Sequence, residues 1–66
     1  MSKYVIATIH DGGKKENFIS LEFGHPIIVT DIKQATVFNS SEDCQKKMIF
    51  WFSSMNDYNR FKVKEL

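Results

Sequence analysis

Sixty-six residues make one domain, 1–66, and a chain this short buries only about 60% of the surface that its unfolded form exposes. Nine basic against eight acidic residues leave a formal charge of +1. That is short of the basic excess with which duplex-DNA binders neutralise phosphates, and no apolar run reaches the roughly 20 residues of a membrane span.

Small scaffolds often lean on disulfides, a metal or a partner chain. Cys44 is the only cysteine, so no internal disulfide can form. Cys44, His10 and His25 lack the spacing of a four-ligand zinc site. Packing and self-association remain: hydrophobic residues are 42% and aromatics 14% of the chain, and a homodimer is expected. Met1-Ser2-Lys3-Tyr4 runs straight into a strand pattern with no signal-peptide core. A lone cysteine placed in the core suits a reducing compartment, so the expected location is the cytoplasm.

In chain order, Tyr4 to His10 is rich in β-branched residues and apolar on both alternating faces, the pattern of a strand covered on both sides or paired centrally. Asp11-Gly12-Gly13-Lys14-Lys15 is a turn signal, because glycine accepts positive φ. Glu16 to Phe23 alternates, with Phe18, Ser20 and Glu22 on one face and Asn17, Ile19, Leu21 and Phe23 on the other. The two segments predict a hairpin. Gly24-His25-Pro26 breaks the second strand, and Ile27 to Thr30 predicts a short third one. Asp31 to Ala35 reads as one helical turn with Thr30 or Asp31 as its cap, before Thr36-Val37-Phe38 returns to extended structure.

The spacing predicts an amphipathic helix from Ser40 to Met55. Ser40 can cap while Asp43, three residues on, reaches back, and Glu42 and Asp43 sit where the helix dipole favours negative charge. Cys44, Met48, Trp51, Phe52 and Met55 share one face. Asn56 to Asn59 are turn residues. Phe61 to Glu65 alternates, with Phe61 and Val63 inward and the lysines in water, as on an edge strand. The expected fold class is α+β: a small antiparallel sheet of three or four strands with one helix packed across it, in the order β-β-(β)-α-β.

No catalytic, cofactor-binding or metal-binding motif stands in this order, so the expected site is an interaction surface. Cys44 lies on the apolar stripe and reads as core rather than nucleophile. His10 and His25 flank turns, and Asp11 or Asp31 beside them does not complete a metal site. The Asp11–Lys15 glycines lie between strands, not before a helix, and so make no phosphate loop. Phe50 falls on the polar side of the helix, among Lys46, Lys47 and Ser54, and Ile49 lies at the border of the stripe. Aromatic anchors dominate interface energetics, so Ile49, Phe50, Trp51, Lys46 and Lys47 are the candidate interface. Cover of Phe50 by the 56–60 loop is the bland alternative. A second candidate places Tyr4, Phe18, Lys62 and Lys64 on the open sheet face, as a stacking platform for single-stranded nucleic acid. The near-neutral charge disfavours it.

From Ile28 to Leu66 the chain resembles small accessory proteins of bacteriophages and prophages, through Asp31-Ile32, Ala35, Phe38, Ser40-Ser41-Glu42 and Phe61-Lys62-Val63. It differs from that pattern in carrying Cys44 where a small alanine usually stands. The resemblance covers a little over half the chain and implies no active site. Most such proteins have no assigned role, and those with one tend to bind and disable a host protein, including components of bacterial defence systems. A domain this small also has little room for a catalytic pocket, so the expected function is a non-enzymatic protein-binding module.

Overall fold

Strand β1 (Tyr4–His10) pairs antiparallel with β2 (Lys15–Ser20), Ala7 lying opposite Phe18 and His10 opposite Lys15. This is the hairpin that the two alternating runs predict. The computed structural model describes residues 2–10, 15–22, 24–55 and 58–66, and leaves aside the side chains of His10 and Lys15. The predicted turn at 11–14, Phe23 and residues 56–57 lie outside the described residues.

A short strand, β3 (Ile27–Val29), pairs with the free side of β2, and β4 (Phe61–Glu65) pairs with the free side of β1. The sheet order is β3-β2-β1-β4, with every neighbouring pair antiparallel. One helix, α1 (Ser41–Phe52), lies across β1 and β4. The fold of the described residues is thus α+β, with four strands and β4 at an edge.

The burial of β1 explains its composition. Val5, Ile6, Ala7 and Thr8 are all buried, which a central strand achieves only if both sheet faces are covered. On one face, Ile6 and Ile19 meet Cys44, Met48 and Phe52 of α1. On the other, Val5, Ala7 and Phe18 pack with Ala35, flanked by Val29 and Ile32. The second cover is a 3-10 turn, Ile32–Gln34, capped by Asp31, whose Oδ1 accepts the Lys33 N–H at 2.9 Å. Of the two predicted caps, Asp31 is the one used.

The extended segment 36–38 bridges the start of β1 and the end of β2. The Thr36 N–H donates to the Ile19 carbonyl at 3.1 Å, and Thr36 Oγ1 accepts from the Leu21 N–H at 2.7 Å. Phe38 exchanges two backbone hydrogen bonds with Tyr4, at 2.8 and 2.9 Å. Backbone groups that would otherwise be stranded between diverging strands are satisfied here. Gly24, at φ +79° in the turn before β3, occupies a conformation that favours glycine.

Helix α1 opens on the predicted Ser40 cap, but of the predicted reciprocal pair only the bond accepted by Ser40 forms, and Asp43 does not reach back. Ser40 is extended, and its Oγ accepts the Asp43 N–H at 3.1 Å. It closes earlier than the predicted Met55: Ser53 is the C-cap, and the Met55 N–H donates to the Phe52 carbonyl in a tighter turn. Serines compete for backbone hydrogen bonds and favour helix ends over interiors. Met55 therefore leaves the helical register and is exposed, not core.

A second correction concerns the sheet faces. Tyr4 packs with the helix-side cluster, whereas Phe18 belongs to the opposite cluster. Strand alternation imposes this. Phe18 faces Ala7 across the ladder, three residues beyond Tyr4, and an odd offset reverses the face.

Candidate functional site

Helix α1 rests chiefly on β1 and β4; on the same face Ile19 of β2 is buried against it, whereas Ile28 of β3 is left exposed. An apolar groove of about 240 Å³ opens there. Ile19 of β2, with Pro26 and Ile28 at β3, contributes the sheet side. Trp51, Phe52 and Met55 contribute the helix side, and Phe61 belongs to it as well. Ile28 stands opposite Ile19 in the register and is 56% exposed.

Beside the groove stands Phe50, 73% exposed. Its ring meets that of Trp51 edge to face, with centroids 5.3 Å apart and planes at 90°, a favoured aromatic geometry. Lys47 Nζ lies 5.9 Å from the Phe50 ring centroid, within cation–π range. Trp51 is half-buried against the helix-side core and lines the groove as well. The structure thus brings Lys47, Phe50 and Trp51 together.

Ile49 and Lys46 do not join them. At about 100° per residue, Ile49 projects some 160° away from Trp51, on the opposite flank of α1. It is exposed there by itself. Lys46 is exposed and lies 3.5 Å from Glu42 in an i,i+4 ion pair. Such an exposed pair contributes about 0.3–0.5 kcal/mol.

Pro26, Ile28 and Met55 are groove residues that reading along the sequence missed. A signal for Ile28 existed: in the run Ile27-Ile28-Val29, strand alternation must turn the central side chain away from its two neighbours. Nothing local marked that face as uncovered.

The predicted nucleic-acid face is not assembled as one surface. Phe18, Lys62 and Lys64 share the face away from α1, but Tyr4 is on the helix side. Phe18 is only 7% exposed, and Lys64 Nζ sits 5.8 Å from its ring centroid. Lys64 donates to Glu16 Oε1, and Lys62 Nζ lies 3.2 Å from Glu16 Oε2. The hydrogen bond from Lys64 holds the Glu16 carboxyl below its usual range, with Lys62 adding to it against the opposing effect of burial. Lys62 stays exposed as expected and Lys64 is half-buried; both engage the partly exposed carboxylate of Glu16.

Cys44 is fully buried in the helix-side core, and desolvation pushes its thiol up to about 11. A thiol so placed is protonated at neutral pH and is a poor nucleophile. His25 is exposed in the turn before β3, and Asp31 is engaged in capping. Among the described residues, no three His, Cys, Asp or Glu side chains gather to hold a metal ion. Also among them, no helix is long and apolar enough to cross a membrane. A second cleft, about 480 Å³, lies on the other face between Ser20, Glu22, Ile27, Val29, Lys33 and Gln34. Its charged members are exposed side chains.

No protein-family model, curated protein or solved structure matches this chain.

Proposed function

We propose that this chain is a non-enzymatic protein-binding module that seats part of a partner protein in the groove between Trp51 and Ile28, with Phe50 as a projecting anchor. The observation that carries the reading is the join between the groove and Phe50. A largely exposed aromatic ring stands edge to face on a tryptophan that itself lines an open apolar cleft. Apolar side chains scattered singly over a surface need no explanation, but a connected set does. Tryptophan and other aromatics are also the residues on which binding energy concentrates.

The resemblance to small bacteriophage proteins supports a class of partner: a host protein in the cytoplasm, disabled by occupation of its surface. A bound partner hinders through the area it covers, and the groove supplies the apolar centre that such a contact needs.

Phe50→Glu tests the reading. Phe50 is exposed, so the variant is expected to keep the circular dichroism and unfolding transition of the parent. It is expected to lose the proteins that the parent retains from a bacterial lysate. A variant that folds and retains the same proteins with the same yield removes Phe50 from the function.

A further inference from the structure

We propose that the free edge of β4 takes up an extended segment of a protein other than this one, as a further strand of the sheet. One bond settles which backbone groups face that edge. The Leu66 N–H donates to the Lys3 carbonyl at 2.8 Å, in the register that sets Glu65 opposite Tyr4 and Lys64 opposite Val5. Bonded pairs alternate along an antiparallel ladder. Lys62 and Lys64 therefore bond to β1, and Phe61, Val63 and Glu65 turn their N–H and C=O groups outward. Among the described residues, β4 ends the sheet and no further hydrogen bond reaches those groups. The opposite edge offers less. The Ile19 carbonyl turns away from β3 to accept from Thr36, so Phe18 and Ser20 bond to β3 through Val29 and Ile27. Of β3 only Ile28 then turns outward, and Pro26 before it has no N–H to give.

Outward lysines ordinarily guard such an edge. Here they are drawn off it. Lys64 donates to Glu16 Oε1, and Lys62 Nζ lies 3.2 Å from Glu16 Oε2. Glu16 stands on β2, two strands in from the edge, so both ammonium groups reach back across β1. An added strand satisfies outward groups through its own main chain and is selected through its alternate side chains. On the helix side its neighbours are Phe61 and Val63, apolar and half-buried, which suit apolar residues in the pairing positions. On the other side they are Lys62 and Lys64, which oppose a further cation. This argues against a second copy. Pairing β4 with its two-fold mate, centred on Lys62, Val63 or Lys64, sets a lysine directly opposite a lysine. The occupant is a foreign strand that alternates apolar residues with uncharged or acidic ones. Its seat is apart from the cleft between Trp51 and Ile28 and does not depend on what that cleft binds.

The test is selection from a random peptide library on the intact protein, followed by amide hydrogen exchange of the complexes read by NMR. Selected peptides are expected to alternate apolar with non-basic residues. At saturation they should slow exchange at the outward amides of Phe61, Val63 and Glu65 by about tenfold or more. A chain of 66 residues can be made by synthesis, so Val63 can be N-methylated, which removes an N–H that β1 does not use. Peptide affinity should then fall about tenfold. Should that variant not fold, exchange at Val63 in the parent protein decides. Peptides that protect no β4 amide and lose binding in Ile28→Glu overturn the strand addition and leave the protein-binding reading standing. Peptides that depend on none of Val63, Ile28 and Phe50 overturn both. A dimer of the parent chain with a protected Val63 amide places a second copy on the edge and overturns the foreign strand. A library that yields no binder overturns it too.

Discussion

Phe52 lies flat against Phe61, with ring centroids 4.1 Å apart and planes 9° from parallel. The pair joins the last residue of α1 to the first residue of β4. Two residues earlier on the same helix, Phe50 points into solvent. Two phenylalanines so close in sequence thus have opposite duties, and truncation separates them. Phe52→Ala should cost about 3–5 kcal/mol, which is as much as a core of this size supplies, so the variant should be largely unfolded at 25 °C. Phe50→Ala should stay within about 0.5 kcal/mol of the parent. Urea titration followed by circular dichroism reads both. Equal losses would show that Phe50 supports the core.

Cys44 should behave as a small hydrophobe. It is fully buried, and desolvation raises its thiol to about 11. The folded protein is expected to react with a disulfide reagent at neutral pH only as fast as it opens, and completely once denatured. Cys44→Ser places a hydroxyl among Ile6, Ile19, Met48 and Phe52 and should cost about 1–3 kcal/mol. Rapid labelling of the native protein would contradict the buried assignment.

The helix cap can be weighed by itself. Ser40 Oγ accepts the Asp43 N–H at 3.1 Å. Ser40→Ala should lower stability by about 1 kcal/mol, and Ser40→Gly by only a few tenths. The ordering of the two variants in thermal unfolding is the check. A glycine variant weaker than the alanine one would mean that Ser40 acts through something other than capping.

The Glu16 ion pairs predict a pH dependence with a definite sign. Its folded carboxyl lies below the ordinary 4.5, chiefly because Lys64 donates a hydrogen bond to it. The stabilisation is therefore present above about pH 4.5 and is lost as pH falls through the depressed folded value. Glu16→Gln should cost at most about 1 kcal/mol at neutral pH, since the side chains are partly exposed. The stability curves of variant and parent should converge in acid. Parallel curves down to low pH would show that Glu16 is not the group responsible.

Local patterns carried much of this fold. β-branched runs specify β1, because such side chains lose little by being extended. The Ser40-Ser41-Glu42-Asp43 signature specifies the start of α1, because a serine there satisfies a backbone N–H within reach of its own side chain. The Cys44, Met48 and Phe52 face follows from helical spacing, and Phe61 to Glu65 from alternation. These are short-range relations between a residue and its immediate neighbours, and a reader of the sequence has all the terms.

What tertiary structure decided is which surfaces have cover. The sequence marks Phe50 as an excess apolar side chain, but not whether another part of the chain lies over it. Its exposure, and its contact with Trp51, depend on where α1 settles on the sheet. The helix settles over β1 and β4, and Ile28 on the far strand is left to border a groove with Trp51 and Met55. The face of Tyr4 turns on the β1–β2 register, and the exposure of Met55 on a helix that ends at Phe52. Burial is a property of pairs of distant segments, and no local pattern contains it. The aromatic excess on the helix is thus a property of the sequence, and the groove that gives it a use exists only in the folded chain.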